Sequence, residues 1–318
     1  MARTLTLLAA LPLVLGMYAP GPDAAAQATV VPERVTIEEL WHEPGDIAAE
    51  DLFHGPWGQA FAPDPTASYR FRRSKRGGAN PGMIVVDSLN REWSVKQEAH
   101  GRTAEGPIEV VLSRVLSAVG YRQPPVYFLP AFSLVDTFGA RDEPGGRFRL
   151  NHPELKERGA WDWQSNPFVG TTPYSGLLVI LIMFNSSDLK NSNNSVFDHT
   201  MPDGAVERWY VVRDLGSALG TTSRIRPMRA DADQFALLPF LSGTDGRYVR
   251  FGYMGWHERL VRDRITPDDV RWASGLLAQL SERQWRDAFR AGGYDAAAAE
   301  PFIRRLREKI AEGLAIGG

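Results

Sequence analysis

The sequence predicts an α+β fold of two lobes, a small antiparallel-sheet lobe followed by a larger, mostly helical one. Three observations predict it. Between Tyr69 and Lys96, three short runs with strand patterning are separated by turn-rich stretches. Helical spacing then begins at residue 106, and the chain beyond Thr266 carries one helix start after another. A chain of 318 residues, 43% of them hydrophobic, has enough apolar material for one core or for two small cores sharing a cleft.

Taken in order, residues 1–28 carry the pattern of an export signal. Arg3 supplies the positive start, Leu5 to Leu15 the apolar stretch, and Ala26-Gln27-Ala28 the small-residue cleavage pattern, which places the mature protein in the periplasm or outside the cell. The stretch is too short for a stable anchor, since a spanning helix needs roughly 20 apolar residues, so no stable membrane insertion is expected. Residues 29–66 mix Pro, Gly and acidic residues with Trp41, Phe53, Trp57 and Phe61, and read as a lead-in lying across a folded surface.

A first lobe is expected over 67–130. Tyr69–Arg73, Met83–Val86 and Glu92–Lys96 read as a three-stranded antiparallel meander, joined by the turns Gly77–Gly82 and Asp87–Asn90. Ile108, Leu112, Val115 and Val119 then fall on one helical stripe between Pro107 and the stop at Gly120, and Pro124–Leu129 reads as another strand. A second lobe is expected over 131–318. Its first part, to residue 172, is rich in turns and aromatics, and its Leu177–Phe184 run is apolar throughout, as in a core helix reaching back to Tyr174. Trp209–Val212 reads as a strand, and helices follow the caps Thr266 and Ser281, with a last one over 297–314.

The formal net charge of −2 gives no electrostatic footprint for nucleic acid. The absence of cysteine excludes disulfides, thiolate metal sites and cysteine nucleophiles. No phosphate-binding G-x-x-x-x-G-K-[ST], H-E-x-x-H or G-x-S-x-G is present, and the six histidines are isolated in sequence. Lysine is rare, occurring only at 75, 96, 156, 190 and 309, so a lysine inside a motif carries extra weight. Arg224, Arg226 and Arg229 form a basic cluster that reads first as a solvated loop.

The strongest local signal is Ser187-Asp188-Leu189-Lys190-Asn191-Ser192-Asn193, followed by Arg213-Asp214-Leu215-Gly216. These resemble the D-L-K-x-x-N catalytic loop and the metal-binding D-F-G of the protein-kinase superfamily. The upstream order agrees: a glycine-rich turn with Gly77, Gly78 and Gly82, a strand ending in Lys96, and a helix with Glu109, or its rival Glu105, to orient that lysine. The resemblance implies a bilobal kinase-like fold using ATP and Mg2+. It implies Asp188 as the base or orienting residue, Lys190 near the transferred phosphate, Asn193 and Asp214 as metal ligands, and Lys96 with Glu109 and the glycines at the nucleotide. The acceptor would be a hydroxyl of a protein or small molecule. Ser186-Ser187 replaces the usual His-Arg, the glycine spacing is not G-x-G-x-x-G, and no A-P-E follows, which points to atypical branches such as the HipA-like and secreted kinase-like proteins. A pseudokinase serving as a binding module and a nucleotidyl transferase on the same scaffold are the other readings.

Overall fold

The computed structural model describes residues 35–75, 82–98, 105–222, 228–254 and 257–317; the expected export signal and two glycines of the expected glycine-rich turn, Gly77 and Gly78, lie outside them. Strands β1 (Ser68–Ser74), β2 (Gly82–Val86) and β3 (Glu92–Gln97) form the expected antiparallel meander, with Phe71 opposite Val85 and Met83 opposite Val95. Helix α1 (Glu105–Ala118) follows. Its apolar stripe is there, but Glu109, Ser113 and Arg114 on other faces are buried too, because the helix is covered on several sides.

The sheet does not end with the meander. β4 (Val126–Asp136) and β5 (Gly139–Leu150) make a long hairpin, β5 pairs with β3, and β4 runs parallel to β1 with Ser68 opposite Ser133. The five strands close into a barrel in the order β1-β2-β3-β5-β4. The expected lobe boundary at 130 therefore falls inside β4, and the sheet lobe runs to Leu150. A closed barrel removes unpaired edges, and its interior holds Tyr69, Val85, Trp93, Val95, Phe132 and Phe148.

The second lobe has its own core. It is built around α2 (Thr172–Met183), which is buried on all sides, as its unbroken apolar run requires. Thr171 caps the helix by accepting from Tyr174 N, and Pro173 sits in the first turn, where its missing N–H costs nothing. Strands β6 (Leu155–Gly159), β7 (Asn194–Thr200) and β8 (Val206–Val212) form a small sheet beside it. Then come α3 (Ala232–Leu237), the hairpin β9 (Leu241–Asp245) and β10 (Tyr248–Phe251), and helices α4 (Pro267–Leu277), α5 (Glu282–Ala291) and α6 (Ala296–Ala315). Thr266 and Ser281 cap α4 and α5 in reciprocal capping boxes, and Asp295 caps α6. The fold is thus α+β, a small sheet lobe and a larger, mostly helical one.

The lead-in threads along both parts. Leu40, Ile47 and Leu52 are buried, while the indole N–H groups of Trp41 and Trp57 donate to Val119 O at 2.8 Å and Gln123 O at 3.0 Å. Among the described residues no helix is long and apolar enough to cross a membrane.

Candidate functional site

Alternation along β3 puts Trp93 and Val95 inside the barrel and Ser94 and Lys96 on its outer face. The Lys96 amine lies 3.0 Å from Glu105 Oε2 and 3.8 Å from Asp214 Oδ1, so three of the sequence-derived positions meet at one point. Burial alone would pull this ammonium down, but the carboxylates of Glu109, Glu105 and Asp214 outweigh it and hold Lys96 above its ordinary pKa. Glu105, at the first turn of α1, also takes Arg229 Nη1 at 2.5 Å, which makes that arginine an ion-pair partner rather than part of a free basic patch.

Glu109 is not the residue in contact with Lys96. One helical turn further on, it lies under β5 and faces Arg147, with Oε1 at 3.2 Å from Nε and the two side chains 5% and 1% exposed. It acts on Lys96 through charge alone. Gly82 is likewise not a turn residue: it opens β2 directly opposite Lys96, and its carbonyl accepts from Lys75 N at 2.8 Å.

The Asp188 loop and the Asp214 segment are tied together by main-chain bonds. Ser187 N donates to Ser217 O at 2.8 Å, and Arg213 N donates to Asn193 O at 2.8 Å. Within the loop, Asn193 Nδ2 donates to Asp188 O at 2.8 Å, and the exposed Lys190 amine lies 3.0 Å from Asp188 Oδ1. Tyr253 and His257 both feel the charge of Asp188, and burial lowers the His257 pKa.

Support for this loop comes from a residue that sequence reasoning passed over. Lys309 on α6 is 0% exposed, and its amine donates to Met183 O at 2.8 Å and Asn185 Oδ1 at 2.9 Å over the face of Phe235. Asn185, in the left-handed region at φ 55°, passes the connection on by donating from Nδ2 to Gly220 O at 2.8 Å. One buried amine therefore anchors both the entry to the Asp188 loop and the exit from the Asp214 segment.

Asp214 is also left-handed, at φ 52°, a conformation that a non-glycine residue adopts at a cost. Burial pushes its carboxyl pKa up, but the cations of Lys96, Arg149, Arg147 and Arg213 hold it below the usual range. Arg147 and Arg149 stand opposite Lys96 and Ser94 across the β3–β5 ladder, and Lys75 Nζ donates to Ser94 Oγ at 3.0 Å. Lys75, Arg147, Arg149 and Arg213 were not singled out from the sequence. Alternation in Arg147-Phe148-Arg149 was the available signal, with Phe148 inward and both guanidinium groups outward.

Asn193 and Asp214, the two positions that the resemblance assigns to the metal, each carry side-chain oxygen donors. That suits a hard cation such as magnesium, which takes one or two carboxylates and completes its shell with phosphate and water. Among the described residues no group of three or more His, Asp or Glu stands ready to hold a metal, and a cation shared with a phosphate ligand needs none.

No protein-family model matches the sequence, and no curated protein matches it. Three solved structures are similar in the general course of the chain. The first is the proinflammatory kinase CtkA of Helicobacter pylori, at 10% identity and TM-score 0.45, covering 79% of this chain and 97% of that one. The second is the Golgi casein kinase, at 12% identity and TM-score 0.39, covering 79% and 74%. The third is the Rio2 kinase–ADP/Mg2+–phosphoaspartate complex from Chaetomium thermophilum, at 11% identity and TM-score 0.33, covering 77% and 72%. Likenesses at this level say nothing of the chemistry of the cleft, which rests on its own side chains.

Proposed function

We propose that this chain is an exported phosphotransferase of kinase type that moves the terminal phosphoryl group of ATP, with Mg2+, to a hydroxyl of a protein or small molecule. The observation that carries the reading is the meeting of Lys96 with both Glu105 and Asp214. A lysine held charged between two carboxylates from different elements is the arrangement phosphoryl transfer uses: it needs a cation on the phosphates, a carboxylate to orient that cation and another to hold the metal. In this reading Lys96 binds phosphate oxygens, Glu105 orients Lys96, and Asp214 and Asn193 would hold magnesium, whose charge would offset that of the phosphates. Arg147 and Arg149 add positive potential on the same face. Asp188 accepts the proton of the attacking hydroxyl, and Lys190, paired with it, stands where the transferred group passes.

Transfer of labelled phosphate from ATP, to an acceptor panel and to the protein itself, tests the reading. Asp188→Asn is expected to keep nucleotide binding and to lose on the order of 10² to 10⁴ in rate, the usual contribution of a general base. Wild-type protein that binds nucleotide and transfers nothing to any acceptor would make the chain a binding module instead. Transfer of the nucleotidyl group in place of phosphate would identify the third reading.

A further inference from the structure

On the far side of α1 from Lys96's partner lies a second cavity, of about 470 Å3, that the phosphoryl-transfer reading does not use. Its walls are mostly apolar, with Phe53, Pro63, Phe128 and Leu129 among them, and Arg114 of α1 enters it. Arg114 is 3% exposed, and its guanidinium has no ion-pair partner among the described residues. Nε donates to Phe53 O at 3.2 Å, and the guanidinium lies over the Tyr127 ring at 5.0 Å. Burial pulls its pKa down to about 10, which leaves the guanidinium charged at neutral pH.

A buried cation of this kind is expensive unless an anion meets it. The neighbouring acids have other hydrogen-bond partners, and Asp51 acts on Arg114 through its charge at longer range than an ion pair. Asp64 accepts from Thr66 N at 2.8 Å and Thr66 Oγ1 at 2.7 Å, and Asp51 accepts from His54 Nδ1 at 2.8 Å if that nitrogen carries the proton. The cavity is also preformed. Its outer wall, the strap of residues 58–65, is stapled to the barrel by Tyr127 Oη to Gly58 O at 3.0 Å, Tyr69 Oη to Asp64 O at 2.9 Å, and Arg91 to Ala60 O and Ala62 O, each at 3.2 Å. A preformed, mostly apolar cavity with one convergent charged group has the build of a small-molecule site.

We infer that this cavity is a binding site for a small organic carboxylate with an aromatic or short aliphatic body, its carboxylate on Arg114 and its apolar part against Phe53, Phe128 and Leu129. Fork-like pairing of a guanidinium with a carboxylate supplies the orientation, and burial of the apolar body supplies the remaining affinity.

The test is calorimetric titration of the full chain with phenylacetate, its neutral isostere phenylacetamide, and acetate. Phenylacetate is expected to bind, with the amide weaker by roughly 10- to 100-fold for want of the charge and acetate weaker for want of the ring. Arg114→Gln keeps the bulk and loses the cation, and Ala291→Trp fills the cavity while keeping Arg114. Both are expected to abolish phenylacetate binding, and if the first variant does not fold, the second decides. Equal binding of acid and amide, unchanged binding in Ala291→Trp, or no binding of phenylacetate by the wild type would overturn the inference. None of these outcomes depends on whether the chain transfers phosphate.

Discussion

Gly216 lies so close to Glu105 that a Cβ built on it would sit 2.5 Å from Glu105 O and 2.8 Å from Glu105 Cβ. The glycine of the Asp-Leu-Gly segment is there for that approach: it lets the start of α1, with the carboxylate that holds Lys96, rest against the segment that carries Asp214. Because the nearest atom is backbone, the neighbour cannot rotate away. Gly216→Ala is expected to cost about 1–3 kcal/mol, as overpacking does, and to push Glu105 from Lys96. Thermal unfolding should show a folded protein with a modest loss, and nucleotide affinity should fall by roughly tenfold, as a displaced charge-assisted pair implies.

The two glutamates of α1 are expected to separate cleanly. Glu109→Gln leaves Arg147 buried without its counter-charge, and breaking such a pair costs about 3–5 kcal/mol, readable as a lower midpoint in denaturant. Glu105 is buried too, but the cations it holds, Lys96 and Arg229, are 21% and 26% exposed and keep some access to water, so Glu105→Gln should cost less stability than Glu109→Gln and weaken nucleotide binding by roughly tenfold. The reverse pattern would reassign the partner of Lys96 to Glu109.

Much of the architecture was legible because local patterns and tertiary packing agreed. The meander, α1, α2 and the C-terminal helices follow from alternation, apolar runs and the caps at Thr266 and Ser281. β5 was not legible: Arg141-Asp142-Glu143-Pro144-Gly145-Gly146 reads as a loop, and only its pairing with β4 and β3 makes it a strand. β7 was hidden in the same way, because Asn194 and Ser195 look like loop residues but are buried opposite Val212 and Val211. For the candidate site, motif order singled out Lys96, Asp188, Asn193 and Asp214, whereas the choice between Glu105 and Glu109 as the residue touching Lys96 needed the third dimension. So did Lys309, which lies 124 residues from Asn185.

Lys75 provides a pH signature. Burial, followed by the charges of Arg149 and Arg147, lowers its amine to about 8 from the ordinary 10.5. Its amine bonds Ser94 beside Lys96 and feels the charge of Asp214, so under the proposed function it would add one more cation for the phosphates, protonated below that value and neutral above it. Affinity for magnesium nucleotide should therefore fall by up to roughly tenfold above about pH 8, in keeping with one charge-assisted contact. Lys75→Arg should flatten this limb of the titration, and Lys75→Met should lower affinity at pH 7 to the wild-type level at high pH.

Lys309 gives the opposite kind of linkage, to folding rather than to binding. Burial holds its pKa well below the ordinary 10.5, so the folded chain carries fewer protons than the unfolded one across the interval between the two values. Stability then rises with pH in that interval, by up to about 1.4 kcal/mol per unit. Lys309→Met should remove this slope in urea unfolding, and it should also loosen the Asp188 loop, because Met183 O and Asn185 Oδ1 lose their donor. A slope unchanged in the Met variant would show that another group sets it.

The most direct measurement is calorimetric titration of ATP into the protein, with and without Mg2+, for the wild type and Asp214→Asn. The amide keeps the shape of the carboxylate but removes the charge that holds the cation against the phosphates. Wild-type protein is expected to bind ATP far more tightly with magnesium than without it, and Asp214→Asn, still folded, to lose that difference. Wild-type protein that binds no nucleotide under either condition would contradict the account.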